Sequence, residues 1–228
     1  MKVTTTGLIR ATGISAMLAG ALFVIVQVIH PPETVEAVAT DAWRIVHYIT
    51  FAMLVLFVAG IAGIYARQVE KLGWLGLAGF LVLSTGLLLN IAGAAIEAFV
   101  EPLLATSNPE FVASFNAMVM GTAYDVDLGA IPTLWSVGSA AFVAGTLVFG
   151  IANLRAGVLS RWGSGVLAFG LVIGLPVATL LGNIRLAAVP ISVGLAWLGY
   201  SLWSEGRQRV SERSADAATV QPDPVTAS

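Results

Sequence analysis

Cysteine is absent from this chain of 228 residues. Its absence excludes thiol–disulfide exchange within the chain, thiolate metal sites and covalent c-type haem attachment. Histidine is nearly absent too. Only His30 and His47 occur, so a membrane hydrolase built on three histidines is excluded by count. Charge is scarce: Asp, Glu, Lys and Arg make up 11% of residues, against 57% hydrophobic ones. Soluble domains carry roughly 25% charged and about 45–50% apolar residues. The chain has no phosphate-binding glycine loop, no His-Glu-x-x-His metal spacing, no serine nucleophile motif and no basic voltage-sensor helix. Its cations form no patch beyond a one-sided bias, so no nucleic-acid partner is expected.

What is present is apolar sequence in long runs, at a mean hydropathy of +0.89. Spanning a hydrocarbon core of roughly 30 Å takes about 20 residues of helix. Six runs meet that length, at about 8–29, 42–66, 74–100, 128–152, 162–181 and 186–203. The expected fold is an all-α integral membrane bundle of six helices in one domain, 1–203, followed by a polar tail, 204–228. Nine of the eleven Lys and Arg residues (Lys2, Arg10, Arg67, Lys71, Arg155, Arg161, Arg207, Arg209 and Arg213) fall on one side of this arrangement. Only Arg44 and Arg185 fall on the other. Cytoplasmic loops collect such cations. The chain is therefore expected to be multi-pass in the inner or plasma membrane, with both termini in the cytoplasm. Lys2 and Arg10 before an apolar run, and then Ala37-Val38-Ala39, imitate a cleavable signal. The run from Ala11 to Ile29 exceeds the usual core of about 7–15 residues, and Ala39 lies well beyond it, so the first run is expected to remain a span.

Punctuation along the chain sets the element ends. Pro31-Pro32 stops the first helix. Arg67–Gly73 reads as a short inner turn joining spans two and three into an antiparallel hairpin, and Glu101-Pro102 reads as the stop of span three. In the long outer connection, Asn108-Pro109-Glu110 combines a capping side chain, a first-turn proline and an acid at a helix N-terminus. Phe111, Val112, Phe115, Met118 and Val119 then share one face, predicting a short amphipathic helix. Without a basic flank, that helix should pack on protein rather than sense lipid. Pro132 sits in the first turn of span four, and Pro176 should kink span five. The polar stretch from Ser204, with Pro222 and Pro224, reads as a disordered tail. Ala16/Gly20, Ala59/Gly63, Ala141/Gly145 and Gly170/Gly174 have the small-xxx-small spacing of close helix packing. Phe57-Val58-Ala59-Gly60 recurs as Phe142-Val143-Ala144-Gly145, a match that chance also produces in so apolar a chain.

Polar side chains inside lipid are costly and become functional candidates. Asn90, Gly93, Glu97 and Glu101 fall on one face of span three, and Arg44, His47, Tyr48 and Phe51 on one face of span two. The hairpin should bring Arg44 and His47 level with Glu97, giving an outer polar cluster of Arg44, His47, Asn90, Glu97 and Glu101. His30, Asp125, Asp127 and Arg185 are secondary candidates; Arg185 is expected to pair with an outer carboxylate such as Glu97. The cluster reads as an interfacial salt bridge, as a proton or ion entry site, or as metal or haem ligands drawn from both histidines and the carboxylates. No cofactor is expected. The functional expectation is a non-enzymatic small carrier or an accessory membrane subunit, with the bilayer, a homo-oligomer or a larger membrane complex as partners. The rival is a membrane-embedded metal- or haem-dependent enzyme or electron-transfer subunit.

Overall fold

The computed structural model describes the backbone of residues 4–219 and the side chains of 4–183 and 185–205. Among these residues every regular element is helical: α1 Thr5–Ile29, α2 Val35–Val38, α3 Asp41–Ala95, a π-helical turn Ile96–Val100, α4 Glu101–Leu104, α5 Pro109–Val119, α6 Ile131–Ala156, α7 Arg161–Leu180, a 3-10 turn Ile184–Ala188 and α8 Val189–Thr219. Five helical runs are long and apolar enough to cross a membrane, and one of them, Asp41–Leu104, is 64 residues long. That run is two rods. Gly73 adopts φ 57°, ψ −162°, a conformation open to glycine, and the chain reverses there. The reversal brings Tyr65 onto Phe80 at a centroid distance of 4.6 Å and Trp43 onto the backbone of Glu97. The expected turn over Arg67–Gly73 is thus shorter than the sequence suggests. Helix continues through 67–72, where Gln68 and Leu72 stay buried, and a single residue makes the bend.

The rods close into a ring: α1 packs between the 41–72 arm of α3 and α8, the 74–95 arm packs on α6, and α7 joins α6 to α8. Each small-xxx-small pair of the sequence lies at one of these seams. Gly60 meets Ala16 across α1 and α3, Gly145 meets Leu83, and Gly174 meets Ala187. The centre is filled by Phe57, Ile61, Ile64, Leu83, Leu87, Phe149, Leu167 and Leu195, all fully buried. The two phenylalanines of the repeated tetrapeptide, Phe57 and Phe142, touch edge-to-face at 5.9 Å. Large apolar side chains also cover the outside, including Leu88, Leu134, Val172 and Ile173. Such a surface belongs to a membrane-type bundle and would be a liability in water. Trp74 and Trp162, 85% and 77% exposed, sit at the end carrying Gly73, where an interfacial indole belt would stand. There too, Gln68 donates to Asn153 between α3 and α6, and Arg67 pairs with Glu205 at 2.9 Å.

The opposite end is capped. Val38, Trp43, Ala105 and Val112 form a small apolar cluster joining α2, α3, α4 and α5. The Asn108 side chain accepts from Phe111 N at 3.3 Å, and α5 buries Val112, Phe115 and Met118 against protein. Ser114 Oγ accepts from Val126 N at 3.2 Å and fastens the following loop. The tail expected from residue 204 begins as a continuation of α8, whose backbone is helical to Thr219; residues 220–228 lie outside the described part.

Candidate functional site

The capped end holds a group of buried polar side chains whose placement follows from chain punctuation. α1 ends at His30 because Pro31-Pro32 cannot continue it, and the His30 ring turns back to donate from Nδ1 to Pro31 O at 2.7 Å. Thr40 caps α3 by accepting from Trp43 N at 3.3 Å, which sets Trp43 and His47 one turn apart on the inward face. His47 donates from Nδ1 to Trp43 O at 2.9 Å, which leaves Nε2 as the free nitrogen of the neutral ring. The Trp43 indole stacks on His47 at 4.1 Å, and the His30 ring meets His47 edge-to-face at 5.0 Å.

The π-helical turn completes the site. Glu101 N bonds to Ile96 O in the wider register, so it does not serve Glu97 O. The next residue in that register is Pro102, which has no N–H. Glu97 O is therefore left without a backbone donor by either register, and Trp43 Nε1 supplies one from 54 residues away at 3.0 Å. The expected stop at Glu101-Pro102 is corrected accordingly. The chain changes helical register there and continues to Leu104, and this turns the Glu97 side chain toward His47.

His47 Nε2 stands 3.9 Å from Glu97 Oε2, within ion-pair range but too long for a hydrogen bond. Glu33 Oε1 receives Arg185 at 2.6 Å and lies 3.8 Å from His30 Nδ1. Glu101 is fully buried, and neither of its carboxyl oxygens has a hydrogen-bond donor among the described residues. Burial lowers the His30 pKa from its ordinary 6.5; the hydrogen bond to Pro31 opposes the shift and the Arg185 charge adds to it. Glu97 lies within electrostatic reach of Glu33, Glu101 and Arg185. Three carboxyl groups share one guanidinium, so charge balance calls for protons or a further cation.

Two cavities flank this group. One, of about 650 Å³, opens at the capped end beside Glu33, Asn116 and Arg185. The other, of about 170 Å³, lies within the apolar part of the bundle; its polar lining is Gln27, Thr50, Asn90 and Glu97. Phe23, Trp135 and Phe142 supply aromatic walls. Glu33 lines the first cavity and Glu97 the second. His30 and His47 form the chain of contacts between those two residues.

The structure thus brings His30, His47, Asn90, Glu97, Glu101 and Arg185 to one end. One sequence expectation differs from it. Arg44 does not join His47; its guanidinium bonds Asp41 at 2.8 Å on the surface, because a partner three residues back on its own helix is nearer than the buried core. Arg185 pairs with an outer carboxylate as expected, and that carboxylate is Glu33, since the 3-10 turn sets it against the loop after α1. Asp125 and Asp127 stay on the exposed loop, where Asp127 accepts from Gly129 N at 2.8 Å. Trp43 and Glu33, which were not among the candidates drawn from the sequence, also belong to the group. Their spacing to the histidines, four residues for Trp43–His47 and three for His30–Glu33, was the signal. Among the described residues, no three His, Asp or Glu side chains are arranged to hold a metal ion. The edge-to-face contact of His30 and His47 is unlike two axial ligands facing each other across one haem iron. No protein-family model, curated protein or solved structure matches this chain.

Proposed function

We propose that the protein is a small membrane carrier of six spans, the 64-residue run counting as two, with both termini in the cytoplasm and the capped end outside. The Lys and Arg distribution supports that orientation. One observation carries the functional reading: Glu97 belongs both to the buried polar chain from Glu33 and to the wall of the cavity between α1, α3 and α6. A buried ionisable group that joins an outward pocket to one within the apolar part of the bundle is what a carrier needs to sense protons or ions where it binds its load. The π turn at Ile96–Val100 changes the helical register and Pro176 removes a backbone donor within α7, and such weakened points are the usual pivots of such movement.

Orientation is tested by reporter fusions at Ser228 and in the Thr106 loop, which should report opposite compartments. Reports from the same side would overturn the topology. Carriage is tested through the missing cysteines: Asn90→Cys introduces a unique thiol in the cavity. In sealed, oriented vesicles, a membrane-impermeant thiol reagent should label it from either face, because a carrier opens its site to both sides in turn. Labelling confined to one face would reject carriage and favour the accessory-subunit role, which co-purification of a larger complex would then establish.

A further inference from the structure

The smaller cavity has a definite chemical bias. Among the described residues, Glu97 is the one ionisable side chain in its wall, and no Lys, Arg or His lines it. Thr50, Asn90 and Glu97 each offer it an acceptor oxygen, beside the Gln27 amide, which can accept or donate. The Thr50 hydroxyl spends its hydrogen on Val46 O at 2.9 Å, so its oxygen turns to the space as an acceptor. Asn90 Nδ2 gives one of its two hydrogens to Gly86 O at 2.8 Å, and its amide oxygen is available as a further acceptor. Around these acceptors stand the aromatic side chains of Phe23, Trp135 and Phe142. Aromatic faces and a carboxylate in a desolvated setting attract the same partner, a cation. The rest of the wall is apolar, and about 170 Å³ is the share of roughly six waters in the liquid, taking ~30 Å³ for each.

From this geometry we infer that the cavity binds a small primary organic ammonium ion on a compact apolar body, and that this cation and a proton exclude each other at Glu97. The three N–H donors of a primary ammonium match Thr50, Asn90 and Glu97, and the aromatic walls hold the body. The inference rests on the carrier reading and names its substrate class. The exchange balances in charge: one proton joining a Glu97 carboxyl oxygen replaces one ammonium ion leaving it. The charged and titratable groups facing Glu97 are His47 on α3, Glu101 one turn on, and Glu33 with Arg185 from the loop and the 3-10 turn. The pH dependence of binding therefore belongs to the group as a whole, with tighter binding at higher pH.

The test is equilibrium calorimetry on the full chain in detergent, where no transport is required. The probes are benzylammonium, benzyl alcohol, benzoate and benzyltrimethylammonium, measured between pH 6 and 8, where the primary amine stays protonated as lysine does. Benzylammonium should bind at least tenfold more tightly than the neutral alcohol and than the donor-free trimethyl ion, and benzoate should not bind. Glu97→Gln should lose at least tenfold for benzylammonium and leave benzyl alcohol unchanged. Benzylammonium affinity should rise as pH rises from 6 to 8 in the wild-type chain and stay flat in that variant. Benzyl alcohol or benzoate matching benzylammonium in the unaltered chain would overturn the inference without recourse to any variant. So would a Glu97→Gln chain that binds the cation as the parent does. Because binding is read here and two-sided access is read at Asn90→Cys, a static cation-binding protein gives the first result without the second. A carrier of some other solute gives the second without the first.

Discussion

Replacing Trp43 with alanine is expected to destabilise the protein by about 3–5 kcal/mol, the range for removing a large, fully packed aromatic. Trp43 has no exposed surface and touches two ring systems, stacked on His47 and edge-on to His30 at 5.8 Å. Its loss would open a void under the cap formed with Val38, Ala105 and Val112. It would also strand Glu97 O, which has no backbone donor in the π turn. Trp43→Phe separates the two effects: most of the ring remains and the indole N–H does not. Stranding a buried acceptor costs about 1–3 kcal/mol, so the phenylalanine variant should fall between the parent and the alanine variant. Reversible unfolding in detergent measures both. If Trp43→Phe were as stable as the parent, the indole bond would not be what holds the register change in place.

The long helices and their order were legible in the sequence because apolar length is an average over many residues, which local exceptions do not upset. The cap helix was legible for another reason: Asn108, Pro109 and Glu110 each act through the backbone of their own turn, and nothing distant competes. Ends set by tertiary contacts were not legible. Arg67, Gln68, Glu70 and Lys71 look like a turn by polarity, yet they continue α3, with Gln68 meeting Asn153 and Arg67 meeting Glu205. Glu101-Pro102 looks like a stop, and the rescue of Glu97 O by a residue 54 positions away cannot be read locally.

The candidate site divides in the same way. Helical spacing correctly put His47 level with Glu97, and Asn90 on the same lining as Glu97. Spacing fixes where Cα–Cβ bonds point; it does not fix where a long flexible side chain ends. Arg44 accordingly leaves the group for Asp41. Glu33 and Arg185 meet 152 residues apart, a closure that only the packing of α1 against α8 determines.

That packing depends on glycine most strongly where α3 meets α6, and there the second large effect is expected. A Cβ at Gly145 would stand 2.3 Å from Leu83 N and 2.4 Å from Leu83 Cα. At Gly86 it would stand 2.4 Å from Phe142 N, and at Gly79 2.6 Å from Phe149 N. The numbers in each facing pair add to one total, the signature of antiparallel rods in a fixed register. The obstructing atoms are backbone, which no change of rotamer can move aside. Gly145→Ala should therefore force the rods apart and destabilise by about 3 kcal/mol, the upper part of the usual overpacking range, and Gly145→Leu should prevent the native bundle from forming. Gly165 on α7 is the control, since a Cβ there meets no atom within 4 Å. Gly165→Ala should stabilise by up to about 1 kcal/mol through helix propensity alone. Opposite shifts of the unfolding midpoint in detergent would locate the effect in the close approach; a Gly145→Ala chain as stable as the parent would show that the seam can yield. The seam also positions the cavity. Phe142 and Trp135 come from α6, and Asn90 and Glu97 from the chain packed against it, so separating the rods would part the aromatic wall from the carboxyl group.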